Sequence, residues 1–133
     1  MREIKFRGFN RKNKKWVYGF YFQNRGKAFV CPDEWADGKS WDDYEVEQRT
    51  IGQFAAQVDS TEKEIYEGDI VRFDGEEYAV VFYEGAFALA TKEQFKCLWD
   101  GVHPFMDDYK RLRNLCDFGN NGLATIIGNI YDL

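Results

Sequence analysis

The sequence predicts a mainly β protein, with antiparallel strands around a small SH3-like barrel core and one or two short helices. Three observations predict it. Aromatic residues form 18% of the chain, and aromatic side chains favour strands. Short runs of period-two alternation recur between polar turns. Asp74-Gly75 and Glu84-Gly85 also divide apolar runs, and an Asp-Gly corner between such runs is among the strongest hairpin signals. A chain of 133 residues fits a single domain, 1–133. Folding would bury about 65–70% of the unfolded surface, enough for a core without disulfide staples.

Residues 3–9 and 15–22 read as two strands joined around Asn10-Arg11-Lys12-Asn13. In the first, Ile4, Phe6 and Gly8 alternate with Lys5 and Arg7. In the second, Trp16, Tyr18, Phe20 and Phe22 share one face, with Val17 and Tyr21 on the other. Lys27 to Cys31 adds a third short strand after the Asn24-Arg25-Gly26 turn, completing a basic N-terminal hairpin region over 1–31. Residues 32–48 are acidic and aromatic without clear periodicity, which predicts an ordered surface loop with one helical turn. Loops of this length in compact domains are often functional.

Thr50-Ile51-Gly52-Gln53-Phe54 leads into the polar turn 59–63. Strands follow over Asp69–Phe73, Glu77–Tyr83 and Phe87–Ala90. That meander is read as the barrel centre, by analogy as well as pattern. Residues 50–90 and 124–131 form the expected β core, and 91–117 a helical insertion. Thr91-Lys92-Glu93-Gln94 has the spacing of a capping box before Phe95, Leu98 and Trp99. Pro104 opens a second expected helix, with Phe105, Tyr109, Leu112 and Cys116 at helical spacing. The cluster 119–122 ends it, and Ala124 to Tyr131 forms the last strand. Ile51-Gly52-Gln53-Phe54 and Ile127-Gly128-Asn129-Ile130 echo each other, and each glycine is read as the site of a bulge or close approach.

Charge is unevenly placed. The chain carries −5 overall. Residues 1–27 hold nine Lys and Arg against Glu3 alone, a balance of +8 that leaves −13 on the rest. No apolar stretch approaches the roughly 20 residues that span a bilayer, so no membrane is expected as a partner. Nor does the start of the chain have the apolar run of a signal peptide. Three irregularly spaced cysteines and one histidine fit neither a disulfide framework nor a standard zinc site. A reducing cytoplasm is the expected setting, with no metal or cofactor.

Catalysis finds little support in the residues. A cysteine nucleophile needs a base and an electropositive setting, and the only histidine is His103. The carboxylates, including the neighbouring pairs Asp42-Asp43 and Asp107-Asp108, are expected to be solvated acids. No phosphate-binding loop is present in the sequence. No catalytic residue is assigned, and the protein is expected not to be an enzyme.

Two binding readings remain. Lys and Arg supply phosphate contacts and aromatic rings supply stacking faces, so the hairpin suits a nucleic-acid binder using Arg7, Arg11, Lys12, Lys14, Lys15 and Trp16. Against it, the basic residues can pair with the acidic 33–47 loop of the same or another subunit. Trp16, Tyr18, Phe20 and Phe22 are then expected to face the core, as aromatic stripes at strand spacing usually do. The acidic balance elsewhere also weakens any phosphate-dependent affinity. The preferred reading is a protein-binding surface on the acidic, aromatic loop, using Trp35, Trp41 and Tyr44.

The most distinctive segment is Lys63-Glu64-Ile65-Tyr66-Glu67-Gly68-Asp69-Ile70-Val71, an acidic turn entering a strand, where Asp69 is placed to accept backbone N–H bonds. Together with the opening Met1-Arg2-Glu3-Ile4-Lys5-Phe6-Arg7-Gly8-Phe9 and the closing Ile126-Ile127-Gly128-Asn129-Ile130-Tyr131, it resembles the YopX family of phage and prophage proteins. The resemblance implies a phage-encoded accessory protein of the bacterial host cytoplasm, with a mixed β-rich fold and self-association into a homo-oligomer. It implies no particular reaction. The expected function is binding of a host or phage protein, with nucleic acid as the alternative partner.

Overall fold

The computed structural model describes residues 3–34, 38–83, 85–99, 113–114 and 124–131. They form two compact units, residues 1–56 and 57–133.

In the first unit β1 (Phe6–Asn10), β2 (Lys15–Asn24), β3 (Lys27–Cys31) and β4 (Glu45–Val46) follow one another as antiparallel neighbours. The β1–β2 register pairs Phe9 with Trp16 and Arg7 with Tyr18. Arg25 and Gly26 both adopt positive φ (54° and 78°) between the paired Asn24 and Lys27, the tight primed turn that matches strand twist. Two short 3-10 turns, Trp41–Tyr44 and Gln48–Thr50, flank β4. The chain then enters β5 (Gly52–Val58), whose start pairs with β1. Ala28, Val30 and Val46 make the core, with Val17, Tyr21 and Ile51 packed against them. Gly8 admits Val46, whose Cγ2 would lie 2.7 Å from any added Cβ. Thr50 ties the segments together. Phe9 N–H donates to its Oγ1 (2.9 Å) and that hydroxyl donates to the Glu47 carbonyl (2.6 Å).

β5 carries a bulge-like residue, Ala56, exposed and held at φ +60°. A side chain there costs about 1 kcal/mol because Cβ crowds the backbone. Ala56→Gly is therefore expected to raise stability by about 0.5–1 kcal/mol in urea denaturation.

In the second unit β6 (Glu64–Tyr66) leads through the corner at Glu67-Gly68 into β7 (Asp69–Phe73), β8 (Glu76–Tyr83) and β9 (Ala86–Ala90). Asp74 and Gly75 turn at φ 52° and 80°, as the Asp-Gly signal predicts. Ala79, Val81, Ala88 and Ala90 form a cluster covered by Tyr83, Ile130 and Phe95 of α1 (Lys92–Trp99). The predicted capping box is in place. Thr91 N–H donates to Gln94 Oε1 (2.9 Å) and Gln94 N–H to Thr91 Oγ1 (3.2 Å). β10 (Arg113–Asn114) pairs with β9, and β11 (Thr125–Asn129) with β7, the latter with a register shift between Ile126 and Gly128 where the sequence predicts a bulge.

The expected SH3-like barrel is not found among the described residues. The first unit's strands run in the order β4-β3-β2-β1-β5 and the second unit's sheet in the order β10-β9-β8-β7-β11, and neither closes end to end among the described residues. The reason is where β5 goes. The strand needed to close a barrel over residues 50–90 pairs with β1 instead, and the β7–β8–β9 meander is the middle of a separate sheet. What holds is a mostly antiparallel β protein with one short helix among the described residues. The second expected helix, from Pro104, lies outside the described residues except at Arg113–Asn114, which are strand and not helix.

Candidate functional site

The first unit exposes the face that the sequence assigns to the core. Tyr18 is 46% and Phe20 50% exposed, while Val17 and Tyr21 on the opposite side of β2 pack into the core cluster. Tyr18 and Phe20 thus point outward, correcting the expectation of a buried stripe, while Trp16 and Phe22 are half-buried. Strand alternation alone cannot tell which of two apolar faces is covered. Here Ala28, Val30 and Val46 fill the interior with Val17, Tyr21 and Ile51 packed against them, and Tyr18 and Phe20 are left exposed.

The rings form a connected surface. Phe20 stacks on Phe22 (centroids 6.4 Å), Phe22 on Phe29 (5.0 Å, 17°), and Trp41 stands edge-on to Phe29 (5.0 Å, 72°). Phe29 is fully buried beneath them, whereas Trp41 keeps 39% of its surface exposed. Further along, Phe9 meets Trp16 edge-on at 5.4 Å. Lys5 lies over Phe54 (4.9 Å) and the Arg7 guanidinium over Trp16 (4.5 Å), both cation–π contacts.

Beside this surface lies a cleft of about 770 Å³. The β1–β2 turn, the start of β3 and residues 39–48 form its walls. Both signs of charge line it: Arg11, Lys12, Lys27 and Lys39, and Asp42, Asp43, Glu45 and Glu47. Arg11 is ion-paired with Glu47, and Lys27 with Glu45 at 4.0 Å. Asn10, buried, donates from Nδ2 to the Asp43 carbonyl (3.0 Å) and accepts the Asn13 N–H at Oδ1 (2.9 Å). The 3-10 turn is fastened by Ser40 N–H donating to Asp43 Oδ2 (2.9 Å) and Asp43 N–H to the Ser40 carbonyl (3.0 Å).

The residues assigned from sequence separate accordingly. Arg7 is 6% exposed and engaged with Trp16, which is half-buried, so Arg7 does not face outward. Arg11 is committed to Glu47, the pairing with the acidic loop of the same chain that the sequence allows. Lys12, Lys14 and Lys15 are exposed. Trp41 joins the ring surface, Tyr44 is half-buried, and Trp35 lies outside the described residues. Sequence reasoning missed Phe20 as a surface residue, and the cleft, which depends on pairings across three segments.

The signature segment plays a different part. Asp69 Oδ2 accepts the Tyr66 N–H (2.8 Å), the turn-fastening role expected of it. Gly68 sits at φ +95° with Tyr131 against it, where a Cβ would lie 3.1 Å from the ring, and its carbonyl accepts the Ile130 N–H (2.9 Å). Two of the three segments that carry the family resemblance thus meet each other. Cys31 is buried, and burial pushes its thiol pKa up, away from the reactive thiolate. Among the described residues no group of three or more His, Cys, Asp or Glu is placed to hold a metal ion, and no helix is long and apolar enough to cross a membrane.

The sequence profile of the YopX protein family matches residues 5–133. The chain belongs to that family. No curated protein matches it.

Proposed function

We propose that this protein is a non-enzymatic phage accessory protein that works in the bacterial host cytoplasm, self-associates, and acts by binding a host or phage protein. The binding surface is the ring face of the first unit, around Phe20 and Trp41. One observation carries this: two large apolar side chains, 50% and 39% exposed, sit on a rigid strand and a fastened turn with a buried ring beneath them. Rigid, partly exposed aromatics supported from below are the usual anchors of protein interfaces. The alternative partner, nucleic acid, is less favoured because two of its five cations are engaged, Arg7 buried against Trp16 and Arg11 paired with Glu47, which leaves Lys12, Lys14 and Lys15 exposed.

The test is recovery of a partner from host or phage-infected extract on the immobilised protein. Phe20→Ala and Trp41→Ala are each expected to weaken capture about tenfold or more, the loss typical of an aromatic hot spot. Retention of single-stranded DNA or RNA at physiological salt, with capture of the protein partner unaffected by either substitution, would refute the reading.

A further inference from the structure

We propose that β11 is a strap: residues 124–130 and the corner 59–63 come away from the second unit as one cooperative piece, and their opening bares the outer edge of β7 while β7, β8 and β9 stay paired.

The two halves of this piece hold each other. Ser60 N–H donates to the Ala124 carbonyl (2.8 Å), the Ser60 and Thr125 hydroxyls lie 2.6 Å apart, and Ile126 N–H donates to Asp59 Oδ2 (3.0 Å). The other oxygen of that carboxylate closes the corner on Thr61 and Lys63. Within the corner Glu62 stands at φ +68°, a conformation that persists only where the surrounding bonds over-determine it. A carboxylate that lets go of Ile126 is free to turn, and its grip on Thr61 and Lys63 goes with it. Opening at either place therefore releases the other.

The strap is thinly attached to the sheet. β11 ends the order β10-β9-β8-β7-β11, so β7 is its one strand neighbour among the described residues, and their ladder is broken by the register shift between Ile126 and Gly128. None of its five residues is buried, and Ile127 is 41% exposed. Ala124, which precedes it, is buried, but its side chain is a single methyl. At the far end Ile130 packs against the Ala79 cluster and donates to the Gly68 carbonyl (2.9 Å). β8 is different: Tyr78, Ala79, Val80 and Val81 are all buried, and paired strands flank it on both sides. Gly68 goes with β8, since its N–H donates to the Val80 carbonyl (2.9 Å). Segments with few buried apolar contacts open first, in contiguous units. Opening leaves the β7 backbone opposite β11 without its partner, from Asp69 to Arg72, and an unpaired strand edge is a template for another extended chain.

Hydrogen exchange of individual amides in the full chain, followed by NMR across low urea concentrations, tests the strap. The amides of Ser60, Lys63, Ile126 and Ile130 are expected to share one opening equilibrium, with protection lower than along β8 by a factor of about ten or more. Val80→Ala gives a second reading. It should lower protection along β8 about tenfold and leave those four amides unchanged, because the packing of Val80 is still present when only the strap is open. Ser60→Ala should lower protection at Lys63 and Ile126 by the same factor. Protection at Ile126 equal to that along β8, and falling with it in Val80→Ala, would show that β11 leaves only with the whole unit and would overturn the strap. Unequal responses of Lys63 and Ile126 to Ser60→Ala would overturn its cooperativity. The ranking of amides in the unsubstituted protein decides the first point should a variant fail to fold.

Discussion

Replacing Gly19 with alanine is expected to cost about 3 kcal/mol or more. Gly19 lies mid-way along β2, paired with Phe6, beside the end of β3. A Cβ built there would overlap the Cys31 carbonyl oxygen and stand 2.9 Å from the Pro32 Cα. These are backbone atoms, and they cannot rotate away as a side chain would. Cys31 is itself held, being fully buried and paired with Phe20. Urea denaturation followed by tryptophan fluorescence measures the effect. Gly26→Ala is the control, since Gly26 has φ +78° but open space around it, and about 1 kcal/mol is expected. Equal losses at the two positions would show that the close approach at Gly19 is not what the site depends on.

Asp59→Ala is expected to lower stability by about 3 kcal/mol, because one buried carboxylate organises a whole corner of the second unit. Its Oδ1 accepts from Thr61 N–H (2.8 Å), Thr61 Oγ1 (2.8 Å) and Lys63 N–H (2.9 Å), and its Oδ2 from Ile126 N–H (3.0 Å). Truncation would leave those donors facing an apolar methyl. Burial alone would push the carboxyl pKa up, but the four hydrogen bonds outweigh it and hold the pKa below its ordinary value. The sign of the pH effect follows. A carboxyl whose pKa is depressed by folding contributes its full stabilisation above the unfolded value of about 4, and that contribution is lost as pH falls through the lower folded value. The wild-type protein should therefore lose stability on acidification below about pH 4. Asp59→Asn should start less stable at neutral pH and fall less steeply in that window. Parallel pH profiles for the two proteins would remove Asp59 from this role.

Much of the local structure was legible because local rules decide it. Asn24-Arg25-Gly26 and Asp74-Gly75 turn where Gly26 and Gly75 readily take positive φ, and Thr91 and Gln94 cap the helix reciprocally. Which strands become neighbours was not legible. Nothing in the period-two pattern of residues 52–58 says that β5 pairs with β1, and that pairing is what removes the barrel. The site was half visible. Trp41 was singled out from composition and loop length, whereas Phe20 was assigned to the core although it is exposed, because β2 has apolar residues on both faces. Arg7 read as a surface cation, and only its cross-strand position near Trp16 shows why a guanidinium can be buried there. Asp59 gave no signal beyond an ordinary polar turn, since its fourth partner, Ile126, is 67 positions away.

That long reach separates the two units in how they can assemble. In residues 6–31 each strand needs only its neighbour in the chain, so β1, β2 and β3 zip from tight turns with little loop entropy to overcome. β11 has no such neighbour. Its ladder with β7 and the Asp59–Ile126 bond both close across more than half of the second unit, and non-local pairings of this kind set folding speed. The family's closing segment therefore ties the second unit together across its longest span, with Ile130 N–H donating to the Gly68 carbonyl and Tyr131 packed against that glycine.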